Sequence, residues 1–169
     1  MRHTLLPPSY MRSFIFGVED SLVATVGLVS GIASAGAPQA DILLAGIVLT
    51  FVEAFSMAAG SFLSESSAQE LVSSPDISVG ESVRAAFIMF FSYFVTGFIV
   101  IAPYVFFPQA LAFQVSIVVA LASLFALGVV SAKLSNTSVV KKGMTMVVIG
   151  GAAIVIGVVA GSFLHLPYA

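Results

Sequence analysis

Three residues whose side chains can bind metal ions or carry protons, Asp20, Glu53 and Met57, lie within stretches that are otherwise apolar. A carboxylate in hydrocarbon costs at least about 2.5 to 3.5 kcal/mol, so it is retained mainly where it faces a cavity or a partner. No Lys or Arg lies in these stretches to pair with the two carboxylates. Carboxylates suit hard cations and a thioether suits later transition metals, so this set favours a divalent ion such as ferrous iron or manganese. Because carboxylates release protons when a metal binds, Asp20 and Glu53 are also candidates for coupling metal movement to protons.

The same residues also allow ordinary structural interpretations. Protonated carboxyl groups that hydrogen-bond to Ser or Thr are one alternative, and simple packing is another for Met57. Glu19, Glu65 and Met89 are predicted to lie near a cytoplasmic mouth or to have a secondary role. The remaining acidic residues are predicted to be solvated surface charges; they are Asp41, Glu70, Asp76 and Glu81.

The chain that must position these residues has the composition of an integral membrane protein. Its 169 residues are 59% hydrophobic and 8% charged, whereas soluble domains are about 25% charged. Because a helix needs about 20 apolar residues to cross a bilayer, five runs of suitable length predict five transmembrane helices. The spans are predicted at about 13–34, 41–64, 84–106, 111–132 and 143–164. The fold class is therefore all-α, a single five-helix transmembrane domain over residues 1–169.

Charge distribution orients this bundle. With five alternating spans all the basic residues fall on one side; they are Arg2, Arg12, Arg84, Lys133, Lys141 and Lys142. The positive-inside rule then predicts a cytoplasmic N-terminus and a C-terminus outside. A net charge of -2 without a basic cluster argues against a nucleic-acid partner, and the lack of cysteine excludes thiolate metal sites. With no targeting extension in the sequence, a prokaryotic plasma (inner) membrane is the expected location.

Helical geometry predicts that the three central residues meet. Asp20 and Met57 each lie seven residues from the inner end of a predicted span, at a depth of about 10 Å. Glu53 lies one turn deeper, on the same face as Met57 and near the bilayer midplane. Small or polar residues extend these faces into two stripes, Gly46, Thr50, Glu53, Met57, Gly60, Ser61, Ser64 on span two and Gly17, Asp20, Ala24, Gly27, Gly31 on span one. They are predicted to line a polar cleft walled by Met89, Ser92 and Thr96 of span three.

Small residues at helical spacing have a second interpretation, which is close packing of helix backbones. Gly27-x-x-x-Gly31 and Gly157-x-x-x-Gly161 both have this spacing. Such motifs occur in membrane helices with and without a specific dimer-forming role. Both possibilities stay open from the sequence.

Two stretches, Phe16 to Val23 and Ser56 to Ser64, resemble the signature stretches of the vacuolar iron transporter family. The weaker likeness of Ala86 to Tyr104 and Lys142 to Gly161 to the family's third and fifth helices extends the resemblance over nearly the whole chain. The resemblance implies a homodimer of five-helix subunits that exports ferrous iron or related divalent metals from the cytosol in exchange for protons. It also implies that Asp20 and Met57 are metal-site residues.

The sequence departs from that family's pattern at three places. Glu19 and Ser21 replace the Asn and Gly that usually flank the aspartate, and Ser61 replaces a Glu that many members carry. Glu53, four positions before Met57, is a candidate to supply the missing carboxylate. The connector from Glu65 to Val83 is too short for the Glu-rich cytoplasmic domain that many members carry.

Two other functional classes compete with a transporter. The small-residue stripes also fit a non-transporting membrane assembly or accessory protein that packs against a partner. An intramembrane enzyme is disfavoured, because the sequence has neither a Gly-x-Gly-Asp motif nor a Ser–His arrangement. The prediction is thus a non-enzymatic transporter without a permanently bound cofactor, whose partners are the lipid bilayer, Fe²⁺ or Mn²⁺, protons and a second copy of the chain.

Overall fold

A computed structural model describes residues 8–71 and 79–163. Within these residues the chain forms α1 (Pro8–Ser34), α2 (Gln39–Leu71), α3 (Val79–Ile101), the short α4 (Pro103–Phe106), α5 (Gln109–Ser135) and α6 (Val139–Phe163). Five segments are long and apolar enough to cross a membrane, because α3 and α4 together make one span. The predicted all-α, five-span fold is confirmed.

All five spanning segments extend beyond at least one end of their predicted spans; α1, for example, begins at Pro8 instead of near residue 13. α2 continues to Leu71 instead of ending near residue 64, and α3 begins at Val79 instead of near residue 84. The added part of α2 is polar, but it contains no Gly or Pro to stop a helix. Apolarity therefore marks where the chain leaves the hydrocarbon, whereas the helix itself continues beyond it. Most of the predicted connector is helical, and Arg84 lies inside α3.

Hydrogen bonds join the turn between α1 and α2 to the turn that precedes α5, at the end of the bundle away from the α2–α3 connector. The α1–α2 turn uses Gly36, whose φ of +83° is a left-handed conformation that glycine adopts readily. The side chain of Gln39 donates to the carbonyl oxygens of Tyr104 and Phe107. Gln109 donates in return to the carbonyl oxygen of Ala37 at 2.8 Å. The first hairpin is thereby tied to the turn that precedes α5.

The first helix lies at the centre of the bundle. α1 packs against α2, α3, α5 and α6, whereas α2 packs mainly on α3 and α5 mainly on α6. Val18, Leu22 and Val26 of α1 form a core with Leu124 of α5 and Met146 of α6. Because neighbours surround α1, its successive residues face different helices.

The two Gly-x-x-x-Gly motifs pack against each other within one subunit. A β-carbon at Gly157 would overlap the carbonyl oxygen of Gly27, and one at Gly161 would overlap that of Gly31. The motifs thus bring the backbones of α1 and α6 into direct contact, the close-packing alternative. The outer half of the predicted α1 stripe consequently faces α6, and only the half around Asp20 is left to face α2 and α3.

The basic residues that the structure describes lie at one end of the bundle. Arg12 lies near the start of α1, Arg84 lies near the start of α3, Lys133 lies in the last turn of α5, and Lys141 and Lys142 lie near the start of α6. Alternating helices bring all these positions to the same side. We refer to this side as the cytoplasmic end, following the positive-inside rule; Arg2 lies outside the described residues.

Candidate metal-transport site

Two side-chain contacts join α1 to α2 at the cytoplasmic end. Arg12 Nη2 donates to Glu65 Oε2 at 2.9 Å, and one turn of α2 further in, the hydroxyl oxygens of Ser13 and Ser61 lie 3.3 Å apart. Glu65 therefore lies at the predicted mouth, where it is paired with a cation. These contacts also fix how the two antiparallel helices are aligned.

That alignment brings Asp20 to the level of the predicted α2 site. Counting eight residues inward from the Arg12–Glu65 pair reaches Asp20 and Met57. Counting seven inward from the shorter serine side chains reaches Asp20 and Ala54, which adjoins Glu53. Asp20 is thus level with the single turn of α2 that carries both Glu53 and Met57.

The carboxyl groups of Asp20 and Glu53 lie close enough for their charges to interact, and both act electrostatically on Tyr93 of α3. Both acidic side chains are half-buried. Within residues 8–71 and 79–163, no three Asp, Glu, His or Cys side chains come together as a metal cluster. A metal ion at this carboxylate pair therefore needs further ligands of another type, such as a thioether, a hydroxyl group or water.

A cavity of about 580 Å³ leads from the mouth toward the carboxylate pair. Met57 and Met89 line it from α2 and α3, so both thioethers face the same space. Room for Met89 comes from Gly17, where an added β-carbon would lie 3.0 Å from its sulfur. The other lining residues are Arg12, Ser13, Phe16, Ser56, Gly60, Ser61 and Ser64. Glu53 follows one turn inward from Met57, and Asp20 one turn inward from Phe16 and Gly17.

The bundle is closed on the far side of the carboxylates. A β-carbon at Gly97 would lie 2.7 Å from Thr50 Oγ1 and 3.2 Å from Ser21 Oγ, so α1, α2 and α3 meet there. Ser21 donates a 2.6 Å hydrogen bond to the carbonyl oxygen of Tyr93, and Thr50 is fully buried. The polar stripe of α2 is therefore buried at its outer end, whereas Gly60 and Ser64 near the mouth are exposed.

Glu19 lies on a different face of α1 from Asp20. It lines a separate cavity between α1, α5 and α6, and it is absent from the lining of the cavity that contains Met57. Successive residues of a helix point about 100° apart, which separates Glu19 from Asp20. The predicted secondary role for Glu19 thus belongs to a different part of the molecule.

Tyr93 is a site residue that sequence reasoning missed. Its side chain is fully buried, and its hydroxyl group has no hydrogen-bond partner among the described residues. The signal was its spacing, since Tyr93 lies one turn from Met89 and one turn from Gly97 on the same face of α3. Ser92 and Thr96 were singled out instead, but Thr96 donates to the carbonyl oxygen of Ser92 within its own helix.

We compared the sequence with models of known protein families. The model of the VIT family matches residues 11–75 and 73–162, nearly the whole chain. The chain belongs to the VIT family. This confirms the resemblance to vacuolar iron transporters and makes the chain a membrane protein of metal-ion transport; members of the family are transporters, not enzymes. A search of curated proteins found no match. The two segments matched to the VIT family meet at residues 73–75, in the connector between α2 and α3.

Proposed function

We propose that this VIT family protein moves a divalent metal ion, Fe²⁺ or Mn²⁺, out of the cytosol in exchange for protons. The observation that carries the proposal is a cavity open at the cytoplasmic end whose inner end approaches two interacting carboxylates, Asp20 and Glu53. Met57, which lines this cavity, supplies a soft ligand beside the hard ones, a mixture that favours later divalent metals over Mg²⁺ or Ca²⁺.

The charges of the pair explain why metal and protons would exchange. One divalent ion neutralises two carboxylates, and so do two protons. Both loaded forms place no net charge in the membrane, whereas the empty, doubly ionised form is costly there. Metal binding displaces protons because the ligands must be deprotonated. The protein therefore switches the carboxylate pair from one side of the membrane to the other most readily when the pair holds either a metal ion or two protons.

Reorganisation at the far side is the second requirement of transport. The contact of Thr50 and Ser21 with Gly97 closes the outer path while the inner cavity is open. Release to the outside requires α1, α2 and α3 to separate there and to close around Met57 and Met89. Alternating access of this kind is the general mode of secondary transporters.

Uptake of Fe²⁺ or Mn²⁺ into proteoliposomes driven by a pH gradient tests the proposal. We expect Asp20→Asn and Glu53→Gln each to abolish uptake above background, because either change leaves the metal with one carboxylate. Glu19→Gln is the matched control, since it removes a neighbouring carboxylate that does not line the cavity with Met57, and it should retain uptake.

Thermal unfolding and size-exclusion profiles of all three variants show whether loss of uptake reflects loss of folding. Normal uptake by both Asp20→Asn and Glu53→Gln would rule out this site. If, in addition, neither metal stabilises the wild-type protein and another membrane protein co-purifies with it, the accessory-protein alternative is correct. We also infer that the protein forms a homodimer, which light scattering in detergent can test. We further infer that it lies in a prokaryotic inner membrane.

A further inference from the structure

A second cavity, of about 530 Å³, opens at the cytoplasmic end between α1, α5 and α6. It adjoins the first cavity across α1, since Arg12 and Phe16 line both cavities. Polar side chains, those of Arg12, Ser135 and Lys142, lie toward its mouth, and Ile15, Leu134 and Met146 are among its apolar lining residues. Its volume is in the range of sites that bind small ligands, about 300–1,000 Å³.

The two helices α5 and α6 that border this cavity carry charge of one sign only. No acidic residue follows Glu81 in the sequence, so α5 and α6 carry lysines and no carboxylates. Lys133 and Lys141 are exposed, and Lys142 is half-buried with its Nζ 3.3 Å from Ser135 Oγ. In the part of the chain that the structure describes, none of these three lysines pairs with a carboxylate.

Glu19 is the acidic residue in the lining, and its depth separates it from the basic mouth. It lies seven residues beyond Arg12 along α1, which corresponds to about 10 Å. The mouth therefore presents the Lys142 ammonium group, positioned by the Ser135 hydroxyl oxygen, whereas the Arg12 guanidinium group beside it pairs with Glu65. Below the mouth the cavity continues along mostly apolar side chains, with Ser131 and Glu19 also in its lining.

We propose that this cavity binds an anionic phospholipid of the cytoplasmic leaflet. The phosphate group contacts the Lys142 ammonium, which donates to the Ser135 hydroxyl oxygen and is held at the mouth by it, and an acyl chain lies along Ile15, Leu134 and Met146. Basic pockets between helices at the cytoplasmic side recognise lipid headgroups of this kind, and charge-assisted hydrogen bonds supply the selectivity. Free phosphate shares the charge but has no chain to fill the apolar part.

The test uses the full-length protein, purified in a neutral detergent and free of added metal. Its thermal unfolding midpoint is measured against increasing phosphatidylglycerol, phosphatidylcholine or inorganic phosphate. We expect phosphatidylglycerol to raise the midpoint, and Lys142→Gln to raise the lipid concentration needed for half of that effect by about fivefold. Lys141→Gln and Lys133→Gln are matched controls, because they remove the same charge from the same end outside the cavity, and each should behave like the wild type.

Equal losses in all three lysine variants would overturn the proposal in favour of general surface attraction. Equal stabilisation by phosphatidylcholine, or the full effect with inorganic phosphate alone, would also overturn it. If Lys142→Gln does not fold, Ser135→Ala tests the same site, because it removes the hydroxyl oxygen that positions the Lys142 ammonium. Native mass spectrometry of the wild type counts the phosphatidylglycerol that it retains. Retention no greater than that of phosphatidylcholine contradicts the proposal.

Discussion

Tyr93 brings a hydroxyl group toward the two carboxylates from α3, and that group has no partner among the described residues. A buried hydroxyl group without a hydrogen bond costs about 1–3 kcal/mol. Such a cost is tolerated where a ligand supplies the missing partner during function. We therefore expect the Tyr93 hydroxyl group to hydrogen-bond a metal-bound water or a carboxyl group in the loaded protein.

Replacement of Tyr93 by Phe should separate transport from stability. The metal concentration for half-maximal transport should rise about three- to tenfold, the value of one hydrogen bond. The free energy of unfolding without metal should not fall, and a rise of up to about 1 kcal/mol is expected because an unpaired polar group is removed. Proteoliposome uptake and thermal unfolding of the metal-free protein measure the two effects.

Tyr104 offers the control for this change. Its hydroxyl group is also buried and unpartnered within the described residues, but Tyr104 packs among the apolar residues of the outer end. Tyr104→Phe should leave the metal dependence unchanged. If both variants alter metal dependence equally, a general effect of the buried hydroxyl groups on packing explains the result and Tyr93 has no special role.

At the scale of elements, the two glycine motifs bring the backbones of α1 and α6 into direct contact. We expect Gly161→Ala to lower the free energy of unfolding by about 1–3 kcal/mol, because its methyl group would overlap the Gly31 carbonyl oxygen. Thermal unfolding in detergent measures this change. Gly151→Ala is the control, since nothing lies within 4 Å of its added β-carbon and the stability should not fall.

Light scattering of the same two variants separates the subunit from its assembly. If Gly161→Ala dissociated a dimer while leaving subunit stability intact, the motif would act between subunits and not within one. If the contact lies inside the subunit, Gly161→Ala should lower the unfolding midpoint whether or not a dimer dissociates.

The number of membrane spans was predictable from the sequence, whereas the rotation of each helix about its own axis was not. Hydropathy marks a membrane span because backbone groups must bond internally in lipid, so each apolar run becomes one helix. The level of Asp20 relative to Met57 followed from rise per residue alone. The direction in which Glu19 points depends on which helices surround α1, and no local pattern carries that information. The pairing of the two glycine motifs is a tertiary choice of the same kind.

At the scale of the whole molecule, the lack of cysteine allows a direct test of orientation. Thr137→Cys and Ala40→Cys each place one thiol at an exposed position, between α5 and α6 and at the start of α2. A membrane-impermeant maleimide applied to intact cells should label Ala40→Cys, and it should label Thr137→Cys only after the cells are opened. The reverse pattern would show that the protein has the opposite orientation in the membrane. Labelling of both cysteines from outside would contradict the five-span topology.

The contact at Gly97 has a consequence for the energy supply of any cell that holds this protein. Thr50 and Ser21 lie so close to Gly97 that an added methyl group there would crowd both side chains, so the three helices are tightly packed at that level. We therefore expect no passive flow of ions past that level while the cavity at the cytoplasmic end is open. A wider gap there would let protons leak across the membrane, which would dissipate the proton gradient without transporting metal.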